Sequence, residues 1–518
     1  MKLNRYFLAV VVLLGLTPTP AVSQSLPNLP LTRLAYTVRK RVVNPQGELK
    51  TKIDAIDTHL AEATRLGRIG EIRRLLAEGM VLMAGSEWTD ELDYKNSLAL
   101  RSGEVIVDST KPYEVRLEQI YAPSLALDHD LAAHFSLCRF HPPAPGQGGA
   151  NAQAASCDLA KDLGKFDEVR RDLLESPFRA ELDLAGVADG AYVIRGEVLD
   201  GEKSLGSSGF RVMVEEGLDQ KMETLEAESR TAPQAVRADV MFPVERIRNI
   251  DLGRIDLGAF DPAREFATAE ETLAAAKAGR DPFAGRTGSF ERHYYLEPAK
   301  EIMPYRLYVP TSYNGTRAFP LIVALHGLGG TEDSMFGPMY GMVPLAEQHG
   351  YIVVGPLGYR IDGFYGGIPG AGPASRSAQL SEQDVIAVLG LVRKEYRIDD
   401  SRIYLMGHSM GGIGTWALGA KYPDVWAALG PISGTGNPAT VEKMRSIPEI
   451  VVHGDADTVV PIAGAQAMVA AMNKLGTEVK FIVVSGGSHM SVPGPNMAAI
   501  FDFFDAHRKA GGAASGSR

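Results

Sequence analysis

A chain of 518 residues is too long for one ordinary hydrophobic core, so two or more domains are expected. With 45% apolar and 22% charged residues it has the composition of a folded globular protein, which excludes a disordered or fibrous chain. A net charge of −10 and the lack of a basic stripe argue against nucleic acid as a partner.

In chain order, residues 1–24 have the form of an export signal. Lys2 and Arg5 precede an apolar run from Tyr6 to Leu16, and Ala21-Val22-Ser23 resembles a small-residue cleavage site. The run is short for a bilayer span, so no stable membrane insertion is expected; an uncleaved N-terminal anchor is the alternative. Export predicts a periplasmic or extracellular protein. Residues 25–97 read as an extended segment to about Lys50, then one helix or a helix pair. There Ile53, Ile56, Leu60, Ala63, Ile72, Leu75 and Leu76 recur at helical spacing, with an interruption near Gly67 and Gly70.

Residues 98–215 change period. Val105 to Val107, Tyr113 to Ile120, His134 to Cys138, Pro177 to Leu184, Ala191 to Leu199 and Phe210 to Val214 read as strands punctuated by Asp-Gly turns. This predicts a small β-sandwich, for which an immunoglobulin-like arrangement is one form, interrupted by a helical pattern from Ala150 to Glu175. Cys138 and Cys157 could close a loop in an oxidising compartment or remain two free thiols. One pair cannot make a zinc cluster, and no metal is expected. Residues 216–289 return to a helical pattern and end in a punctuated linker, DPFAGRTGS.

Between residues 290 and 510 strands and helices alternate. Met303 to Val309, Leu321 to Leu325, Tyr351 to Val354, Ile403 to Met406, Ala427 to Ile432, Ile450 to His453 and Val479 to Val484 are the strands. Glu382 to Tyr396 (capped by Ser381), Ile413 to Leu418, Ala463 to Leu475 and Met497 to Arg508 are the helices. This order predicts an α/β domain with a mostly parallel sheet covered on both faces. Residues 511–518 form a polar tail read as disordered.

The chemistry centres on Gly407-His408-Ser409-Met410-Gly411, between a predicted strand and a predicted helix. A serine at such an apex has its hydroxyl pushed out of the sheet, and flanking glycines remove side chains from a tight bend. The helix N-terminus behind it favours developing negative charge. In α/β sheets reacting groups gather at the carboxyl ends of strands. Asp457, in HGDADTVVP, and His489, in SGGSHM, each follow such an end, giving the order Ser409, Asp457, His489. An imidazole can take the serine proton, and a buried carboxylate can hold that imidazole in one tautomer. Asp455 is the rival acid and His326, His408 and His453 are rival bases; each reads better as a structural residue. His326-Gly327-Leu328-Gly329-Gly330 follows an apolar strand, and the amides of Leu328 and Met410 are the candidate oxyanion hole. The loop from Gly355 to Ala378 could form a wall on which Tyr359, Phe364 or Tyr365 stack against substrate, or could simply pack. Trp416 reads as core.

With LHGLGG, GHSMGG, HGDADTVVP and GGSHM in this order, residues 290–510 resemble the α/β-hydrolase superfamily. Within it they are similar to phospholipase/carboxylesterase-like, polyhydroxybutyrate-depolymerase-like and feruloyl-esterase-like enzymes, and nearly as similar to prolyl-oligopeptidase-type catalytic domains. The resemblance implies a Ser409–His489–Asp457 triad cleaving small or polymeric carboxylic esters through an acyl-enzyme, without a cofactor. A serine peptidase on the same triad is the alternative, and a binding protein on an inactive scaffold is a third reading. Ser409 and Asp457 are 48 positions apart, which leaves little room for a lid. Residues 25–289 lie outside the resemblance, and the oligomeric state is not legible.

Overall fold

The computed structural model describes residues 29–141, 157–367 and 374–509. The expected export signal, the interior of the Cys138–Cys157 loop, part of the 355–378 loop and the C-terminal tail lie outside these residues. Two compact units divide between Ala274 and Ala275.

The N-terminal unit opens with helices α1 (Leu29–Val43), α2 (Gly47–Arg65), α3 (Ile69–Met83) and α4 (Asp90–Ser97). The extended segment expected before Lys50 is therefore a helix. Its Tyr36 is buried against Gly79, where a Cβ would come within 2.4 Å of the tyrosine ring. The break between α2 and α3 falls at residues 66–68, and Gly70 lies inside α3, where a side chain would strike the Ile120 carbonyl.

Eight strands follow: β1 (Leu98–Arg101), β2 (Ile106–Val107), β3 (Tyr113–Gln119), β4 (Leu131–Arg139), β5 (Leu159–Val169), β6 (Phe178–Leu182), β7 (Gly190–Asp200) and β8 (Lys203–Val214). They form a three-stranded sheet, β1-β3-β6, and a five-stranded sheet, β2-β8-β7-β4-β5. Phe135, Phe166 and Phe178 join the two sheets through ring contacts of 5.6–6.3 Å. The helical pattern expected after Ala150 is corrected by β5. This edge strand buries only Val169, so its exposed, charged faces carry no clean two-residue alternation. Cys138 and Cys157 form a disulfide with Cα atoms 5.2 Å apart. Helices α5 (Leu218–Ser229), α6 (Arg237–Asp251) and α7 (Pro262–Lys277) follow the sheets.

The C-terminal unit is built on an eight-stranded sheet. Its strands are β9 (Gly288–Leu296), β10 (Glu301–Val309), β11 (Phe319–Leu325), β12 (Ile352–Pro356), β13 (Ile398–His408), β14 (Ala428–Ile432), β15 (Glu449–Gly454) and β16 (Val479–Val484). Their order is β16-β15-β14-β13-β11-β12-β10-β9, antiparallel only at β9/β10 and β10/β12. Every residue of β11, β12, β14 and β15 is buried, as expected of strands covered on both faces. The helices are α8 (Met342–His349), α9 (Arg376–Glu395), α10 (Met410–Lys421), α11 (Ala463–Leu475) and α12 (Pro493–Ala506). Helix α9 starts six residues before the expected first residue, Glu382. Ser375 caps it by accepting from the Ala378 amide, while Ser381 is buried inside it and accepts from the Tyr365 amide. No helix among the described residues is long and apolar enough to cross a membrane.

Candidate active site

Strand β13 ends at His408, and α10 begins at Met410. Ser409 between them has φ 59° and ψ −116°, a left-handed backbone that L-residues avoid and that persists only when its surroundings impose it. Two glycines permit the turn: a Cβ on Gly407 would lie 2.5 Å from the Gly411 backbone, and one on Gly411 would lie 2.1 Å from the Leu325 carbonyl. The Ser409 amide donates to the Ile432 carbonyl at 2.9 Å, which anchors the turn to the neighbouring strand. The side chain is half-buried.

Asp457 follows β15 and His489 lies in the loop after β16. His489 Nδ1 donates to Asp457 Oδ2 at 2.7 Å, with both residues buried. The other carboxylate oxygen accepts from the Val459 and Val460 amides, both at 2.9 Å. Burial by itself would raise this carboxyl. Hydrogen bonds from His453 and His489, the His489 charge and the Val460 amide outweigh it and hold Asp457 well below the usual carboxylate range. The imidazole therefore faces a fixed anion. Its link to the nucleophile is not made in this conformation: among the described residues no hydrogen bond joins Ser409 Oγ to His489. Such bonds commonly tighten only when substrate is bound.

The loop after β11 sits beside the nucleophile, since a Cβ on Gly327 would touch the Ser409 Cβ at 3.4 Å. Gly329 donates to the Ile361 carbonyl and Gly330 to the Gly327 carbonyl. Among the described residues the amides of Leu328 and Met410 donate to no acceptor. Two unsatisfied amides close to a strained serine are what an oxyanion requires.

The rival residues have other partners. Asp455 Oδ1 accepts from the Gly486 amide and ties down the His489 loop. His453 donates Nε2–H to the Val460 carbonyl and lies 3.5 Å from Asp457. His326 is fully buried, with Nε2 2.7 Å from the Leu357 carbonyl. Trp416 is core, its indole N–H donating to Glu449. Tyr365, a candidate substrate wall, instead packs beneath the nucleophile helix, with its ring where a Cβ on Gly414 would sit and its hydroxyl 3.4 Å from the His326 carbonyl. Tyr359 is occupied by Glu301 and by the Arg360 guanidinium over its ring.

Residues 298–480 match the family described as "Putative esterase". That match lies inside the C-terminal unit and covers about a third of the chain. A feruloyl esterase B of Talaromyces stipitatus is 32% identical over 131 residues, 25% of the chain and 35% of the relative. A poly(3-hydroxybutyrate) depolymerase of Ralstonia pickettii is 26% identical over 162 residues, 30% of the chain and 31% of the relative. The chain thus spans about a third of the length of these curated relatives. A solved ferulic acid esterase from Anaeromyces mucronatus, in complex with ferulic acid, superposes with a TM-score of 0.36 at 16% identity, covering 44% of this chain and 93% of that one.

Proposed function

We propose that the chain is an exported serine esterase that cleaves carboxylic esters through an acyl-enzyme on Ser409. The observation that carries this reading is the buried 2.7 Å contact between His489 and an ionised Asp457, formed beside a serine held at positive φ. His489 Nε2 takes the proton of the Ser409 hydroxyl. Oγ then adds to the ester carbonyl carbon, and the oxyanion is held by the Leu328 and Met410 amides. As the tetrahedral species collapses, the carbon–alkoxy bond breaks and the imidazolium returns its proton to the leaving alcohol. Water, deprotonated by the same imidazole, then releases the acid and restores the serine. Asp457 stabilises the imidazolium without taking its proton.

The relatives' names supply candidate acyl groups: feruloyl and hydroxybutyryl esters. The Cys138–Cys157 disulfide supports an oxidising, extracytoplasmic compartment. The paired sheets of the N-terminal unit read as a sandwich whose task is to position substrate. The test is a panel of p-nitrophenyl acetate, butyrate and hydroxycinnamate esters beside peptide p-nitroanilides. Turnover of esters alone is expected, whereas peptide cleavage without ester cleavage would overturn the reading.

A further inference from the structure

His408 has no part in the steps above, yet it is 2% exposed and satisfied at both ring nitrogens. Nε2 lies 3.0 Å from the main-chain carbonyl of His489, and Nδ1 lies 3.0 Å from the Tyr340 hydroxyl. A carbonyl oxygen can only accept, so Nε2 carries the proton. Burial and the neighbouring His489 push this imidazole down to about 4, so at neutral pH the ring is uncharged. Nδ1 must then accept, and the Tyr340 hydroxyl donates to it. One tautomer is fixed from both ends.

The connection matters because of where it runs. His408 is the last residue of β13 and Ser409 follows it directly, so the ring ties the nucleophile's own strand end to the loop that carries the base. The His408 and His489 rings are 4.8 Å apart and tilted by 38°. Asp457 governs the rotation of the His489 ring through Nδ1, whereas nothing in that bond fixes the height of the loop backbone.

We propose that His408 is a positioning residue: in the tautomer imposed by Tyr340 it grips the His489 carbonyl and sets that imidazole at the level of Ser409 Oγ. This rests on the reading of Ser409, His489 and Asp457 as the reacting triad. Proton transfer needs heavy atoms at about 2.6–3.2 Å, and displacement by about 1 Å can cost about a hundredfold in rate. The loss falls on kcat, because His408 touches neither substrate nor the reacting atoms.

The test measures kcat and KM separately on p-nitrophenyl acetate, with Tm, for full-length H408F, H408Q, Y340F, Y340F/H408Q and S409A. In H408F, kcat should fall about 10- to 100-fold with KM within about twofold. The Nε2 amide of H408Q can reach the same carbonyl and should restore kcat to within about threefold of wild type. Y340F should lower kcat about threefold in the native background and not at all in H408Q, since an amide has no tautomer to impose. Wild-type kcat in folded H408F, equal losses in kcat and KM, or an H408Q as poor as H408F overturns the proposal. If H408F does not fold, the Tyr340 pair decides, and a Y340F loss that persists in H408Q overturns it. S409A separates the two readings. Turnover surviving in S409A sinks the triad itself, whereas an inactive S409A beside a fully active H408F sinks only the role of His408.

Discussion

Strand β15 begins with Glu449 at the amino edge of the sheet, and Asp457 follows its carboxyl edge. Both side chains are buried, yet they are held in opposite states. Glu449 accepts one hydrogen bond, from Trp416 Nε1 at 2.7 Å, while its other oxygen has no partner among the described residues. Burial pushes its carboxyl up to about 8. Asp457 faces two backbone amides and two imidazoles and stays ionised. Burial alone makes a carboxyl neutral; a converging set of donors makes it a fixed charge. Asp457 meets that set just past the carboxyl end of β15, where loop amides turn inward, and the proposed chemistry lies at that edge of the sheet.

The sharpest way to break this comparison is to remove the group that the carboxyl edge is built to serve. S409A should lower kcat for p-nitrophenyl acetate by at least about 10⁴-fold while leaving the protein folded, as steady-state rates and circular dichroism would show. D457N should cost about 10³- to 10⁴-fold in kcat, because an amide can present the wrong partner to His489 Nδ1. D455N keeps an acceptor for the Gly486 amide and should stay within about threefold, so equal losses at positions 455 and 457 would erase the distinction between loop anchor and triad acid. L328P deletes one candidate oxyanion donor and should lower kcat about 10²- to 10³-fold, read against KM in the same assay.

The smallest effect belongs to the amino edge and appears in stability. Glu449 has a folded pKa raised from 4.5 to about 8. Between these values the unfolded chain has lost the proton that the folded chain keeps, so stability falls as pH rises from about 5 to about 8. E449Q carries no such proton. Its Tm should match wild type near pH 4 and exceed it by a few degrees near pH 8, with the acyl transfer chemistry unchanged. A wild-type Tm that tracks E449Q across that range would mean Glu449 is not held neutral.

The bend at Ser409 was legible because its needs are local: a strand, two glycines that no side chain could replace, and a helix. Asp457 and His489 were legible because both lie one short loop beyond an apolar strand. Tyr340 was not. It sits in a loop after β11 with no periodic signal, and only the tertiary fold brings its hydroxyl 3.0 Å from His408, 68 positions away. For Tyr365 the sequence allows either a binding wall or ordinary packing, since a glycine-rich loop with aromatics fits both, and the ring packs into the space left by Gly414 and Gly358. In the N-terminal unit, α1 escaped notice because only Tyr36 is fully buried along it, too little for a helical stripe. Strand β5 reads as helical for the related reason that an edge strand with a single fully buried residue keeps no two-residue rhythm.

The central claim is that one serine becomes covalently acylated with help from one imidazole. Labelling the full-length protein with a fluorophosphonate, followed by peptide mapping, tests it directly. A single adduct on Ser409, absent in S409A and greatly slowed in H489A, is the predicted result. An adduct on another residue, or labelling at Ser409 that proceeds at the native rate without His489, would contradict it.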